Sequence, residues 1–392
     1  MILRREFRAA LAVLLAMCLA CPPSHALVTF NDSHDRIYVN GSFGISGDSN
    51  IFANSDNASD LVYSSGVSLE YTRRAGWIGV NAGASAGASW FGKNKSQNFN
   101  NPSYNLELTK QSGRTTGAFT LSGARESRAD AAVNLRSTSW NYNAGLNVKY
   151  PAGNYTFTGN FGYSSRKYVE EAVFANLATY SSSLNVIRIL PNERELVGGY
   201  QYRFSEISRN ASSSDHSVTL GLSGKLIRGV NGTITGGYQT RIPHGGLARD
   251  GKNGSWTIGG SSNSPISKKL NLYGSISKDF STTATGSSVD VTNVALRSGY
   301  AFNSRWSLSG SAGVGDTRFL GEGGRVVLAV GPPPVLGPAR HDNYANWSVS
   351  MGYSLNEHLK GSLSYSWFQN WSTISYADFV RSSWGMNFSS RW

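Results

Sequence analysis

The chain is short of charge: Asp, Glu, Lys and Arg make up 15% of its 392 residues, against about 25% in ordinary soluble domains. It has only two cysteines, Cys18 and Cys21. Both lie near the N-terminus, so the rest of the chain can build no disulfide framework, thiolate metal site or Cys nucleophile. No stretch beyond residue 20 approaches the run of about 18 apolar residues that a membrane helix needs. What the chain has instead is 44 glycines, 10 tryptophans, 19 tyrosines and 17 phenylalanines. That much glycine speaks against long helices, and an aromatic share of 12% speaks against disorder, which is poor in aromatics. Strands remain.

Arg4, Arg5 and Arg8 precede the apolar run Ala9 to Ala20, and Pro22 and Pro23 lead into Ser24-His25-Ala26. This is the pattern of a secretory signal peptide spanning residues 1–26, with the barrel expected over 27–392. A lipid anchor on Cys21 is disfavoured, because Cys18 stands where a Leu is expected. Export without a membrane helix leaves two destinations: soluble outside the inner membrane, or a closed β-barrel in an outer membrane.

Period-two alternation favours the barrel. From Trp140 to Tyr150 the even positions are Trp, Tyr, Ala, Leu, Val and Tyr, and the odd ones Asn, Asn, Gly, Asn and Lys. The split recurs around Leu61–Tyr71, Val218–Lys225, Trp306–Val314 and Leu359–Trp367. A soluble sandwich also alternates, but here aromatics bracket the apolar faces, as in Trp140 with Tyr150 and Tyr155 with Tyr163. Ten residues at about 3.3 Å, tilted by about 40°, rise roughly 25 Å, the height of the apolar band of such barrels.

The C-terminus places Val380, Trp384, Met386, Phe388 and Trp392 on one face, with Ser383, Gly385, Asn387 and Arg391 on the other. This resembles the C-terminal strand of bacterial outer-membrane barrels of the porin-like class. The resemblance implies an assembly signal at Phe388 and Trp392, read by the barrel-assembly machinery. It also implies a location in the outer membrane of a Gram-negative cell, with lipid around the wall.

Short turns at 73–76, 112–114, 151–154, 191–193, 228–231, 303–304 and 356–358 read as periplasmic. Longer joins at 47–59, 92–102, 126–136, 170–178, 208–214, 243–253, 281–287 and 317–341 read as outer loops. A strand over Tyr180–Leu190 keeps short and long joins alternating and makes the strand number even. The expected fold is an all-β transmembrane antiparallel barrel of about eighteen strands, sixteen being the alternative, with no plug domain. A short helix could start within 168–177. In the loop 317–341, the apolar stretch Val326 to Val330 and the triplet Pro332 to Pro334 do not suit free solvation. That loop should pack on itself, fold into the mouth or meet a partner.

Enzymatic motifs lack their context. Gly83-Ala84-Ser85-Ala86-Gly87 spells a nucleophile elbow, which needs a strand turning into a helix, yet it lies within an alternating run. Gly87 to Lys93 nearly spells a phosphate loop, but Asn94 replaces the required Ser or Thr. The histidines after residue 26 (His34, His216, His244, His341 and His358) have no metal-ligand spacing. No enzyme activity, catalytic residue, metal or cofactor is expected, and dispersed positive charge in an exported chain speaks against nucleic acid.

Parity assigns Lys149, Arg203, Lys225, Arg241 and Lys360 to the wet face, with Arg391, against Glu70, Glu107 and Asp279. These residues are the expected pore lining. A water-filled channel for small hydrophilic solutes follows, with a mild anion preference. The alternative is an export or scaffold barrel of an envelope or exopolysaccharide secretion system, since size and texture resemble barrels that accompany such systems. A homo-oligomer or envelope partner proteins fit either reading.

Overall fold

The computed structural model describes residues 28–30, 34–74, 76–131, 134–170, 174–191, 193–208, 211–227, 229–245, 251–321, 325–329 and 335–392. The expected leader, 1–26, lies outside the described residues. Eighteen long strands follow in chain order. They are β1 (Asp35–Asp48), β2 (Asp60–Arg73), β3 (Gly79–Phe91), β4 (Ser103–Lys110), β5 (Thr116–Asp130) and β6 (Leu135–Ala152). Then come β7 (Tyr155–Tyr168), β8 (Leu177–Leu190), β9 (Arg194–Ile207), β10 (Ala211–Ile227), β11 (Val230–Gly245) and β12 (Asn253–Pro265). The last six are β13 (Leu270–Thr282), β14 (Ser288–Ala301), β15 (Trp306–Phe319), β16 (His341–Ser354), β17 (Leu359–Ser372) and β18 (Phe379–Arg391).

Each strand pairs antiparallel with the next, and β1 pairs with β18 from Asn40↔Arg391 to Asp48↔Ser383, so the sheet closes. Val39 and Trp392 exchange two backbone hydrogen bonds of 2.8 Å at the join. Beyond it, the short strand Val28–Phe30 takes the same edge of β1 through Val28↔Ile37. Closure gives every long strand a partner on both sides, which is what a strand protein needs in lipid, where no water satisfies an open edge.

Alternating side chains make the barrel inside out. Leu220 (62% exposed), Leu363 (58%) and Phe161 (57%) stand on the outer face, whereas Asp215, Gln239 and Arg241 are among the buried residues. The outer aromatics collect in two rings. Tyr180 and Trp256 lie towards the long-loop end, and Tyr150, Tyr155 and Trp306 towards the turn end. Trp306 packs on Tyr353 at 4.4 Å between centroids, and Tyr163 on Tyr180 at 5.2 Å. Turns at the end that holds both termini are tight, and Gly113 (φ +85°) and Gly153 (φ +62°) supply the left-handed backbone two of them need.

The strand at Tyr180–Leu190 is present as part of β8. Several loops are shorter than the sequence suggests, because strands run past their apolar faces. β5 ends at Asp130 and β6 starts at Leu135, and β9 ends at Ile207 with β10 starting at Ala211. Between Tyr168 and Leu177 the described residues hold one helical-type bond, Phe174 N–H to the Glu170 carbonyl at 3.0 Å, and no helix. The loop after β15 pairs with itself, Arg325–Ala329 against Val335–Ala339. Its proline triplet lies outside the described residues.

Candidate functional site: the mouth of the barrel

The middle of the lumen is hydroxyl and amide. Ser311 bonds Ser348 at 2.8 Å, Ser366 bonds Ser383 at 2.7 Å and Ser85 bonds Ser103 at 2.6 Å across strands. Asn160 donates to Ser183 at 3.0 Å and accepts from Asn147. Ser85, the would-be elbow nucleophile, is therefore one hydroxyl of the inner wall of β3, with Gly83 opposite Asn105 and no helix beside it.

Charge gathers at the ends. Arg203, Asp215 and Arg241 stand opposite one another on β9, β10 and β11, so their side chains form one lateral row on the inner wall. Asp215 accepts Arg241 Nε at 2.7 Å and Nη2 at 2.8 Å, and Arg203 Nε at 2.8 Å. Arg203 also reaches Asp279 through Nη1 at 2.7 Å and Nη2 at 3.2 Å, and donates to the Phe280 carbonyl at 2.6 Å. Arg241 donates to the Ser281 carbonyl at 2.6 Å and lies over the Phe280 ring.

These contacts fix where the outer end of β13 goes. Within a continuous wall, β9 and β13 are four strand spacings apart, about 19 Å, far beyond an Arg–Asp pair. The outer end of β13 therefore leaves the β12 edge and lies inside the wall, with β14 still paired to β15 as far as Val289↔Phe319. The hairpin tip continues across the mouth, where Ala175 N–H bonds the Ala284 carbonyl at 2.7 Å and Tyr168, Phe174 and Ala284 pack together. The expected outer loop at 281–287 is thus a tight turn folded into the lumen, because its flanking strand carries the partners of Arg203 and Arg241.

A second bridge crosses the mouth. Arg340 holds Asp342 (Nη2 to Oδ2, 2.6 Å) and donates to the Ala131 carbonyl at 3.0 Å and Asn134 Oδ1 at 3.3 Å. The strands that follow these residues, β16 and β6, are eight spacings apart by the shorter way round, about 38 Å, so the contact is a chord across the opening. The loop 49–59 lies beneath it. Asn50 and Ile51 are fully buried, and Asn134 Nδ2 donates to the Ala53 carbonyl at 2.8 Å. Arg381 anchors the start of this loop through Asp48 at 2.6 Å.

A closed sheet with a lipid-type exterior, two aromatic rings and a polar lumen decides the class. The chain is a closed eighteen-stranded antiparallel β-barrel of the outer-membrane type. No family model matches it, and no curated protein does. Among solved structures, the barrel is similar to OpdK (OccK1) of Pseudomonas aeruginosa at 11% identity, covering 91% of this chain and 99% of that one with a TM-score of 0.48. It is similar also to OccK2 (OpdF) of Pseudomonas aeruginosa, solved in complex with glucuronate, at 10% identity, 93% and 99% coverage and a TM-score of 0.48. A third likeness is to the FrpB iron transporter of Neisseria meningitidis at 10% identity, 84% and 62% coverage and a TM-score of 0.47.

Of the lining residues expected from parity, the barrel brings together Arg203, Arg241 and Asp279. Arg241 is 1% exposed and its charge meets Asp215 and the hairpin rather than water. Lys225 pairs with Glu193 at 3.2 Å in the turn between β8 and β9, and Glu70 with Arg391 at 3.1 Å at the same end. Lys149, Glu107 and Lys360 stand apart from these clusters, and among the described residues none of the three makes an ion pair. Trp392 stacks on His358 at 4.2 Å, and Phe388 is exposed opposite Phe43.

Sequence reasoning missed Asp215, Arg340 and Arg297. Asp215 continues the wet face of Ser217 and Thr219 by one more step of two, and Arg297 faces inward opposite Ser311 and Tyr273. Nothing in the spacing of Arg340 marks its partners at 131–134, which are distant in sequence.

Proposed function

We propose that the protein is a channel for passive passage of small hydrophilic solutes, with no catalytic step of its own. The observation that carries this reading is the contrast between a narrowed mouth and a polar lumen. The inner wall offers hydroxyls and amides that replace lost hydration, and two inward bridges narrow the opening. A wall of this type conducts because each contact is weak enough to release the solute.

Ion preference follows from the lumen charges that lack ion-pair partners. Lys149, Arg297, Lys360, Arg128 and Arg166 take inward positions without an ion pair among the described residues, against Glu107, Glu126 and Glu195. Positive charges lining a pore raise the local anion concentration and lower it for cations. A mild anion preference is the expected result. Purified protein in a planar bilayer tests both statements: stable conductance with a reversal potential on the anion side in a salt gradient. Absence of conductance overturns the channel, and a cation-side reversal potential overturns the selectivity.

The same reading assigns Phe388 and Trp392 to assembly. Their strand closes the barrel on β1, so its recognition and its final pairing use one element. The supporting contacts are the two Val39–Trp392 backbone bonds.

A further inference from the structure

The wall has a seam at its outer end. β12 and β13 pair from Pro265↔Asn271 as far as Ile258↔Lys278. β12 goes on pairing with β11 to Arg241↔Asn253, and β13 with β14 to Thr282↔Ser288. Among the described residues no ladder pair joins Asn253–Thr257 to Asp279–Thr282. Two neighbouring strand edges are thus left unpaired with each other, one in the wall and one in the lumen.

The two edges match. Extending the observed register places Thr257 opposite Asp279, Trp256 opposite Phe280, Ser255 opposite Ser281 and Gly254 opposite Thr282. In that register Phe280 would take a lipid-facing position beside Trp256, which is 57% exposed in the outer aromatic ring, while Asp279 and Ser281 would face the lumen. Phe280 therefore has the parity of a wall position at a place where the structure has it 2% exposed inside the barrel, 5.3 Å from the Arg241 guanidinium.

The docked position is also poorly satisfied. Between the hairpin and the inner wall, Ser213 Oγ, Gln239 Nε2, Thr282 Oγ1, Ser288 Oγ and Asp290 Oδ1 are buried without a hydrogen-bond partner. Buried polar groups left unpaired oppose the arrangement that buries them. Opposing them are the Arg203 and Arg241 contacts and the Ala175–Ala284 bond already described.

We propose that the Asp279–Asp290 hairpin is a gate with two seats: docked in the lumen, as here, and annealed into the wall beside β12. This rests on the channel reading, since the seat decides how much of the lumen is open. Moving to the wall exchanges the Arg203 and Arg241 bonds for four ladder pairs and a Trp256–Phe280 cross-strand contact, and returns the orphaned Ser213 and Gln239 groups of the inner wall to lumen water. The pivot is Lys278, the last paired residue of the seam. Its Nζ holds Asp290 Oδ2 at 2.5 Å and lies 5.1 Å from the Trp256 ring.

Cysteine cross-linking tests the two seats in the full chain, with Cys18→Ala and Cys21→Ala as background. Trp256→Cys with Phe280→Cys puts the two thiols on opposite faces of the wall when the hairpin is docked, so they join only in the wall seat. Ala175→Cys with Ala284→Cys joins only in the lumen seat. Oxidation in outer-membrane vesicles should link both pairs, read as reducible shifts on a gel. In a bilayer the wall lock should hold the larger conductance without closures, and the lumen lock the smaller one without openings. Dithiothreitol should restore transitions in both.

If the lumen pair links and the wall pair does not, the hairpin has a single seat and the proposal is overturned. Thr257→Cys with Asp279→Cys serves as a second wall pair should the first fail to assemble. Linkage of both pairs with identical conductance also overturns the gate. If no form of the protein conducts, the channel reading fails, while the cross-link yields still decide whether the hairpin moves.

Discussion

Replacing Arg203 by Gln separates the hairpin from the wall with little disturbance elsewhere. Asp215 keeps its two bonds to Arg241 at 2.7 and 2.8 Å, so the inner row does not lose its anion. Asp215 gives up its 2.8 Å bond from Arg203, and the loss that bears on docking is on the hairpin side. The Asp279 carboxylate, with a side chain 48% exposed, forfeits a half-solvated pair worth about 1 kcal/mol after screening. The buried Phe280 carbonyl loses a charge-assisted hydrogen bond, about 1.5–3 kcal/mol. Together these come to about 3 kcal/mol, which at 1.36 kcal/mol per tenfold is roughly a 150-fold shift away from docking. Hydrogen exchange of the amides from Asp279 to Asp290 should accelerate by about that factor, while exchange in β5–β7 stays as it was. Bilayer records should gain excursions to a larger conductance. Unchanged exchange in the hairpin, together with an unchanged conductance trace, would refute the view that Arg203 holds it in the lumen.

Other consequences can be checked alongside. Arg340→Ala leaves Asp342 buried without its cation, a loss of about 3–5 kcal/mol at the mouth. Urea or heat should then release the loop 49–59 before the barrel melts, seen as early protease cleavage between β1 and β2. Lys149→Glu with Lys360→Glu reverses two unpaired lumen charges, so the reversal potential in a salt gradient should move towards cations. An unmoved potential would show that ions do not pass these residues. Truncating Trp392 removes two closing backbone bonds and the stack on His358, so the yield of heat-modifiable, folded barrel should fall in cells while the export of the chain does not. Deleting 325–339 should leave conductance unaltered, because that segment pairs with itself. A changed conductance would place it in the permeation path.

Parity was legible because a barrel wall imposes one rule on every strand: a side chain faces lipid or water according to odd and even position. Few charges, much glycine and many aromatics follow from that rule, and the alternation of short and long joins makes the strand number even. The turns were legible as well, since short returns demand Gly, Asn and Pro at particular places. Phe280 marks where the rule stops. Its position in the sequence is lipid-facing, yet it is buried in the lumen, because Arg203 and Arg241 attract the end of its strand more strongly than the β12 edge does.

The amino-acid sequence alone determined the closed barrel, its apolar exterior and its polar interior, since these depend on local alternation repeated along the chain. Only the tertiary structure decided the mouth. The Arg203–Asp279 and Arg340–Asn134 contacts join residues 76 and 206 positions apart. They exist because closure brings distant strands face to face across one lumen, and no local pattern records which of those faces will meet.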